Sequence, residues 1–125
     1  MPAVLLIAIA GALGALSRYG VTLLAMRWFG ESFPYGTLAV NVLGCLLLGF
    51  LAQLGLSNPA LSKNLQLALG TGFLGSLTTF STFGVETITL LQNGSWGAAL
   101  ANVALNLVVG LGCAALGMAA ARAIV

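Results

Sequence analysis

Charged side chains are nearly absent from this sequence. Only four Lys or Arg and two Asp or Glu occur among the 125 residues, which is 5% of the chain. A soluble domain carries about 25% charged residues, so a surface built from this composition would not stay dispersed in water. Hydrophobic residues make up 60% of the chain, and the mean hydropathy is +1.11. The composition therefore predicts an integral membrane protein, with residues 1–125 forming a single transmembrane domain.

Histidine is missing altogether, and cysteine occurs only as Cys45 and Cys113. Both cysteines lie inside apolar stretches and lack metal-ligand spacing, so we interpret them as small packing residues. The sequence has no acidic pair and no nucleophile beside a base, which excludes the usual arrangements of an enzyme. The net charge of +2 is too small to favour nucleic-acid binding. We therefore expect neither an enzyme nor a partner of nucleic acids.

Four long apolar stretches remain once the turn residues are set aside. They cover residues 4–26, 36–56, 65–91 and 96–124, and the breaks at 30–34, 57–59 and 92–95 carry Gly, Pro, Asn and Ser. One membrane crossing needs about 20 apolar residues, so each stretch can cross once. Every backbone N–H and C=O in lipid needs an internal partner, which favours helices. The sequence therefore predicts an all-α membrane protein of four transmembrane helices.

The loop charges leave the orientation of the chain open. Four crossings place Lys63 and Arg122 on the side of the termini and Arg27, offset by Glu31, on the other. Orientation follows the Lys and Arg count of short loops, and two against one is a weak bias. Either this bias fixes one orientation, or the chain inserts both ways and pairs head to tail as an antiparallel, dual-topology homodimer.

The third stretch carries five hydroxyl side chains between Ser76 and Thr82, around its centre at Thr78. One Ser or Thr can bond back to its own helix, but five beside several glycines favour a third helix broken near its midpoint over a continuous helix with a polar stripe. Irregular backbone at membrane depth must be buried in protein or line a cavity, and its carbonyls can coordinate a monovalent cation. Phe80 and Phe83 share a helix face, and their place inside this run favours a pore wall over packing alone.

Isolated polar residues inside the other stretches have two interpretations each. The amides of Asn41, Asn102 and Asn106 can donate to an anion without bringing charge, and they can equally bond a neighbouring helix. Arg18 and Glu86 are the only charges well inside the stretches, where ionisable groups are costly. Arg18 can reach a vestibule, whereas a structural pair or a hydrogen-bonded cap is as plausible for both residues.

Small or polar side chains also recur at every fourth position of the second and fourth stretches. Such stripes let helices approach closely in lipid, and packing is the better interpretation for their Gly and Ala members. The two stripes are Thr37, Asn41, Cys45 and Gly49, and Asn102, Asn106, Gly110 and Ala114.

Together these features resemble the Fluc/CrcB family of fluoride channels. The resemblance covers nearly the whole chain and includes residues 14–18, the Gly-Thr-Leu-Ala-Val-Asn run at 36–41 and residues 75–86. The Thr-Phe-Ser-Thr-Phe run at 79–83 is its most specific part.

The resemblance implies a multi-pass protein of the bacterial inner membrane that exports cytoplasmic fluoride by passive electrodiffusion. It implies an antiparallel homodimer with two pores and a structural, untransported sodium ion at the dimer centre, held by the backbone carbonyls of Gly75 and Thr78. Gly110 and Ala114 stand where the family often has hydroxyls, which puts the far end of the polar track in doubt. The implied fluoride pathway comprises Asn41, Phe80, Ser81, Thr82 and Phe83, with Arg18, Glu86, Asn102 and Asn106 as vestibule or supporting residues.

Two other functions fit a four-helix membrane subunit less well. A transporter similar to the small multidrug resistance proteins needs a membrane-buried acid in its first helix, and here that helix carries Arg18 and no acid. A purely structural subunit would not need the dense polar run of the third stretch.

Overall fold

A computed structural model describes all 125 residues, and every regular element in it is helical. Helix α1 spans Ala3–Phe29 and α2 spans Tyr35–Ser57. Helix α3 covers residues 63–77, with wider π-helical turns at Leu67–Leu74. Helix α4 spans Phe80–Gln92, and α5 spans Trp96–Ile124 with π-helical turns at Leu105–Val109.

The predicted stretches correspond to these elements within a few residues. Three helices, α1, α2 and α5, are each long and apolar enough to cross a membrane. The third predicted stretch is divided between α3 and α4, so neither part crosses at full length alone. The expectation of an all-α membrane protein is confirmed at this level.

The ends of the helices follow from local chemistry. Gly30 ends α1 with a φ of 81°, and its N–H donates to the carbonyl of Met26. A positive φ suits glycine because no Cβ crowds the backbone. Gly94, with a φ of 78°, turns the chain between α4 and α5. Ser62 caps the start of α3 by accepting from the N–H of Leu65.

Helices α2 and α5 run parallel and pack through the two small-residue stripes. Asn41 bonds to Asn106, and further along both helices Arg122 donates to Gln53 at 3.1 Å. A Cβ at Gly49 would collide with the main-chain oxygen of Ala114. Because dispersion contacts between close backbones hold helices together in lipid, the small residues fix how closely these two helices approach.

Helix α1 packs closely against α3. A Cβ at Gly14 would collide with the carbonyl of Phe73, and one at Gly72 would lie 3.0 Å from the carbonyl of Ile7. The outer surface is largely apolar, and only 17 of 125 residues are buried within the single chain. Lipid or another protein surface must therefore cover most of its side chains.

Candidate functional site

The site centres on two extended residues between α3 and α4. Helix α3 ends at Leu77, Thr78 has φ −83° and ψ 157°, and Thr79 has φ −153° and ψ 118°. The side chain of Thr79 then caps α4, because its Oγ1 accepts from the N–H of Thr82 at 3.2 Å and donates to the Thr82 hydroxyl at 3.0 Å. The hydroxyls therefore take over hydrogen bonds that a continuous helix would make through its backbone.

Asn41 of α2 holds the extended residues through a two-point hydrogen bond. Its Oδ1 accepts from the main-chain N–H of Thr79 at 2.8 Å, and its Nδ2 donates to the main-chain oxygen of Thr79 at 3.1 Å. The same Nδ2 donates to Oδ1 of Asn106 at 2.9 Å. The geometry therefore gives Asn41 the interhelical bonds that the sequence left open, while its place on an anion path stays a prediction.

A chain of hydrogen-bonded side chains continues from Asn106. Its Nδ2 donates to both the main-chain oxygen and Oδ1 of Asn102, at 2.8 and 3.0 Å. Asn102 is 0% exposed, and its own Nδ2 donates to the hydroxyl of Thr87 at 3.0 Å. Thr87 donates in turn to the carbonyl of Phe83 at 2.8 Å. Asn102 thus joins α5 to α4, and Asn106 joins α5 to α2.

The two predicted pore aromatics lie together, but they are covered to different extents. The ring centroids of Phe80 and Phe83 are 5.7 Å apart with planes tilted by 58°. Phe83 is 7% exposed, whereas Phe80 is 79% exposed. Both contribute to a cavity of about 280 Å³, which we call the break cavity. Its lining comprises Asn41, Gly44, Cys45, Leu48, Thr78, Thr79, Phe80, Phe83, Asn106, Leu107 and Leu111.

The backbone at the interruption offers oxygen atoms that fit a monovalent cation. No main-chain N–H and no side chain donates to the carbonyl of Thr78, and Gly75 is exposed nearby. Main-chain oxygen is a hard ligand suited to such an ion. The hydroxyl of Thr78 points elsewhere, since it donates to the carbonyl of Leu74 at 3.0 Å.

Arg18 contacts the end of α3. Its Nε donates to the main-chain oxygen of Ser76 at 3.1 Å. The last carbonyls of a helix lack intrahelical partners and carry partial negative charge, so a cation stabilises them. Of the three interpretations left by the sequence, namely a vestibule, a structural pair and a hydrogen-bonded cap, this contact supports the cap.

Glu86 faces a second, larger cavity of about 540 Å³, which we call the acidic cavity because Glu31 also lines it. Its Oε1 is buried and has no hydrogen-bond partner. Thr37, one turn before Asn41 on α2, lies on the wall of this cavity. Ser81 is exposed on the surface of the single chain. Five of the predicted residues therefore line the break cavity and Glu86 lines the acidic cavity, whereas five line neither: Arg18, Gly75, Ser81, Thr82 and Asn102.

Two residues that matter to this site are not singled out by sequence reasoning. Gly44 permits the close approach of Thr78 to α2, because a Cβ there would collide with the Thr78 methyl group. Thr87 accepts the hydrogen bond of Asn102, the last amide of this chain. Gly44 follows Asn41 by three residues and therefore lies on the same face of α2, and this spacing could have identified it from the sequence. Thr87 could have been identified from the sequence as a hydroxyl residue directly after Glu86, inside the third apolar stretch.

Comparison with known proteins decides the family. The family described as "CrcB-like protein, Camphor Resistance (CrcB)" matches residues 5–118. The chain belongs to this family. It is 51% identical over 116 residues to a protein of Syntrophotalea carbinolica, covering 93% of this chain and 94% of that one. It is 47% identical over 119 residues to one of Sorangium cellulosum, covering 95% and 94% respectively.

A relative in Dehalococcoides mccartyi is 50% identical over 111 residues, covering 89% of this chain and 85% of its own. All three relatives bear the name "Fluoride-specific ion channel FluC". The predicted resemblance to the CrcB family is confirmed. Because the relatives are named channels, the expectation that this chain is not an enzyme is confirmed as well.

Proposed function

We propose that this CrcB family member is a fluoride-selective channel that lets fluoride leave the cytoplasm by passive electrodiffusion. The observation that carries the proposal is the break cavity, where Phe80, Phe83 and the Asn41 amide lie together. The ion is taken from the name that its relatives bear. Its relatives come from bacteria, and its composition is that of a membrane protein, so we place it in the bacterial inner membrane as a multi-pass protein.

The chemistry of the break cavity suits a small, strongly hydrated anion. Removing an ion from water is costly unless other dipoles replace the hydration shell. The polar groups of Asn41 and Thr79 and the electropositive edges of Phe80 and Phe83, all residues of the cavity wall, provide such dipoles. No Lys or Arg lines the cavity. Conduction needs binding weak enough for release, so neutral donors suit transport better than a fixed cation.

The conducting unit is an antiparallel homodimer with one break cavity per subunit and therefore two pores. Ser81 and Gly75 are exposed in the single chain, near the depth of the uncommitted carbonyl of Thr78. Polar groups facing hydrocarbon at that depth are costly, so a second copy covers them. The near-balanced loop charges allow both orientations.

Dual topology can be tested with one accessible thiol. Asn64→Cys in a background where Cys45 and Cys113 are replaced by Ala places a label next to the exposed Lys63. A membrane-impermeant maleimide should label about half of the protein from each side of sealed vesicles. Labelling from a single side would contradict the antiparallel arrangement.

A structural sodium ion lies between the two interruptions, held by the main-chain oxygens of Gly75 and Thr78 from both subunits. Ligand binding to the folded state raises the apparent melting temperature. Sodium should therefore raise the melting temperature of the purified dimer more than choline does at equal ionic strength. Thr78→Ala should preserve this effect, because only the carbonyl is used. Equal melting temperatures in sodium and choline would refute the ion.

Liposome efflux is the decisive test of the function. Liposomes loaded with fluoride and holding the purified protein should empty rapidly when an ionophore clamps the counter-charge. Liposomes loaded with chloride should not. Protein-free liposomes control for leak. Equal fluoride and chloride efflux, or fluoride efflux no faster than the leak, would exclude a fluoride-selective channel.

A further inference from the structure

The hydroxyl of Thr87 ends an unbroken series of hydrogen bonds that starts at the interruption. The main-chain N–H of Thr79 donates to Asn41, whose amide donates to Asn106. Asn106 donates to Asn102, and Asn102 donates to the hydroxyl of Thr87. Every bond in this series has its donor on the side of the interruption, so the amides share one direction.

The chemistry at the two ends of the series fixes that direction. The first group is the main-chain N–H of Thr79, which can only donate. The last is the main-chain oxygen of Phe83, which can only accept and takes the Thr87 hydroxyl proton at 2.8 Å. Because that proton is committed, Thr87 must accept from the group that faces it. The amide of Asn102 therefore turns its nitrogen toward Thr87 and its oxygen toward Asn106.

We propose that Thr87 is a positioning residue for conduction. Its hydroxyl sets the direction of the Asn102 and Asn106 amides, and through them the donors that face the break cavity. This inference rests on the proposed fluoride channel function. In the ordered series, both N–H bonds of Asn106 are directed at Asn102 and away from the break cavity.

Without the Thr87 hydroxyl, the direction of Asn102 is held only from the Thr79 end of the series, through Asn41 and Asn106, so a reversed Asn102 becomes accessible. A reversed Asn102 would turn its nitrogen toward Asn106, which would reverse in turn. Uncommitted N–H groups of Asn106 would then point at Asn41 and the break cavity. The N–H groups of Asn41 and Asn106 would then face each other. An anion entering the cavity would be held longer because it would bind these uncommitted N–H groups. Since conduction needs weak binding and fast release, either effect lowers the flux.

The chain offers a matched control two residues further along α4. Thr89 makes the same local bond as Thr87, because its hydroxyl donates to the carbonyl of Val85 at 2.8 Å. No amide donates to Thr89, and it is exposed. Thr89→Val therefore removes the same back-bond to the helix and adds the same methyl group as Thr87→Val. The two variants differ in the connection to Asn102.

The experiment measures fluoride efflux from liposomes for dimeric protein recovered from a sizing column. Thr87→Val should conduct about tenfold more slowly than Thr89→Val, a drop expected for one ordered hydrogen bond at a barrier. Thr87→Ser, which restores the hydroxyl in a smaller side chain, should recover the flux of the unmodified chain. If Thr87→Val does not form a dimer, Thr87→Ala replaces it in the same comparison.

A double-mutant cycle separates positioning from packing. In an Asn102→Ala background, Thr87→Val should cause no further loss of flux, because Thr87 acts through Asn102. Equal flux for Thr87→Val and Thr89→Val, a Thr87→Ser as slow as Thr87→Val, or additive losses in the cycle would each overturn the proposal. If the unmodified chain and Thr89→Val carry no fluoride, the proposed function itself fails.

Discussion

Asn41 secures the interruption of the third segment, and its truncation tests that role quantitatively. Asn41→Ala deletes three interhelical hydrogen bonds, of 2.8 and 3.1 Å to the main chain of Thr79 and of 2.9 Å to Asn106. Between transmembrane helices, one such bond contributes about 0.6 kcal/mol on average and at most about 1.7 kcal/mol. Three together amount to about 2–5 kcal/mol. The free energy of unfolding should fall by an amount in this range.

Reversible unfolding in mixed detergent, followed by circular dichroism, measures this loss. The matched control is Cys45→Ala, one turn further along the same face of α2 and on the wall of the same break cavity. Cys45 makes no side-chain hydrogen bond, so its truncation should cost less than about 1 kcal/mol. If Asn41→Ala loses no more stability than Cys45→Ala, the bonds to Thr79 do not hold the interruption, and the two-point contact is incidental.

Four further substitutions test the remaining contacts. Phe80→Ile and Phe83→Ile keep most of the apolar volume, so each should cost under about 1.5 kcal/mol and leave the dimer intact on a sizing column. Fluoride efflux should nonetheless fall steeply because the electropositive ring edge is lost, and unchanged efflux would make the rings mere packing. Asn41→Asp places a carboxylate in the break cavity, where it repels an anion by about several kcal/mol, so fluoride flux should fall to the leak rate of protein-free liposomes. Normal flux in a folded dimer would show that Asn41 does not line the path. Arg18→Gln withdraws the cation from the end of α3 and should lower the free energy of unfolding by about 1–2 kcal/mol. Its control is Arg27→Gln, at an exposed position of α1, the helix that also carries Arg18, and this change should cost less than about 0.5 kcal/mol. Equal effects of the two substitutions would contradict the cap.

Periodicity and turn residues predicted the helices well. The ends of α1, α2 and α5 lie within three residues of the predicted stretches. These features depend on local chemistry and on the length needed to cross lipid, both of which can be read along the chain. The stripes on the second and fourth stretches also predicted which face of each helix packs closely, because a repeat of four residues fixes one face of a helix. The structure adds that these two faces meet each other.

The partners of the polar residues were beyond the sequence. A repeat of four residues shows which face of a helix packs. It does not show how the neighbouring helix is rotated or how the two helices are aligned along their length. The partner of Asn41 depends on where Thr79 leaves the helix, and that position depends on the close approach allowed at Gly44. The bond between Asn102 and Thr87 joins two residues of which only one was singled out. Each side chain alone had several possible partners, and only the packing of three helices selects one.

Gly110 and Ala114, which stand where the family often has hydroxyls, lie where α2 and α5 pack closely. Their interface leads to opposite predictions for two of its glycines, Gly110 and Gly49. A Cβ at Gly110 would lie 3.5 Å from the sulfur of Cys45, which is ordinary contact. Gly110→Ala should therefore fit and raise stability by up to about 1 kcal/mol, since glycine is the poorer helix former. A Cβ at Gly49 would instead collide with the main-chain oxygen of Ala114. That oxygen belongs to a helix and cannot move aside, so Gly49→Ala should force α2 and α5 apart and lower stability by about 1–3 kcal/mol. Unfolding in mixed detergent compares the two variants directly. Equal changes for both would mean that the small residues do not set the distance between α2 and α5, and the missing hydroxyls at Gly110 and Ala114 would then need an explanation other than packing.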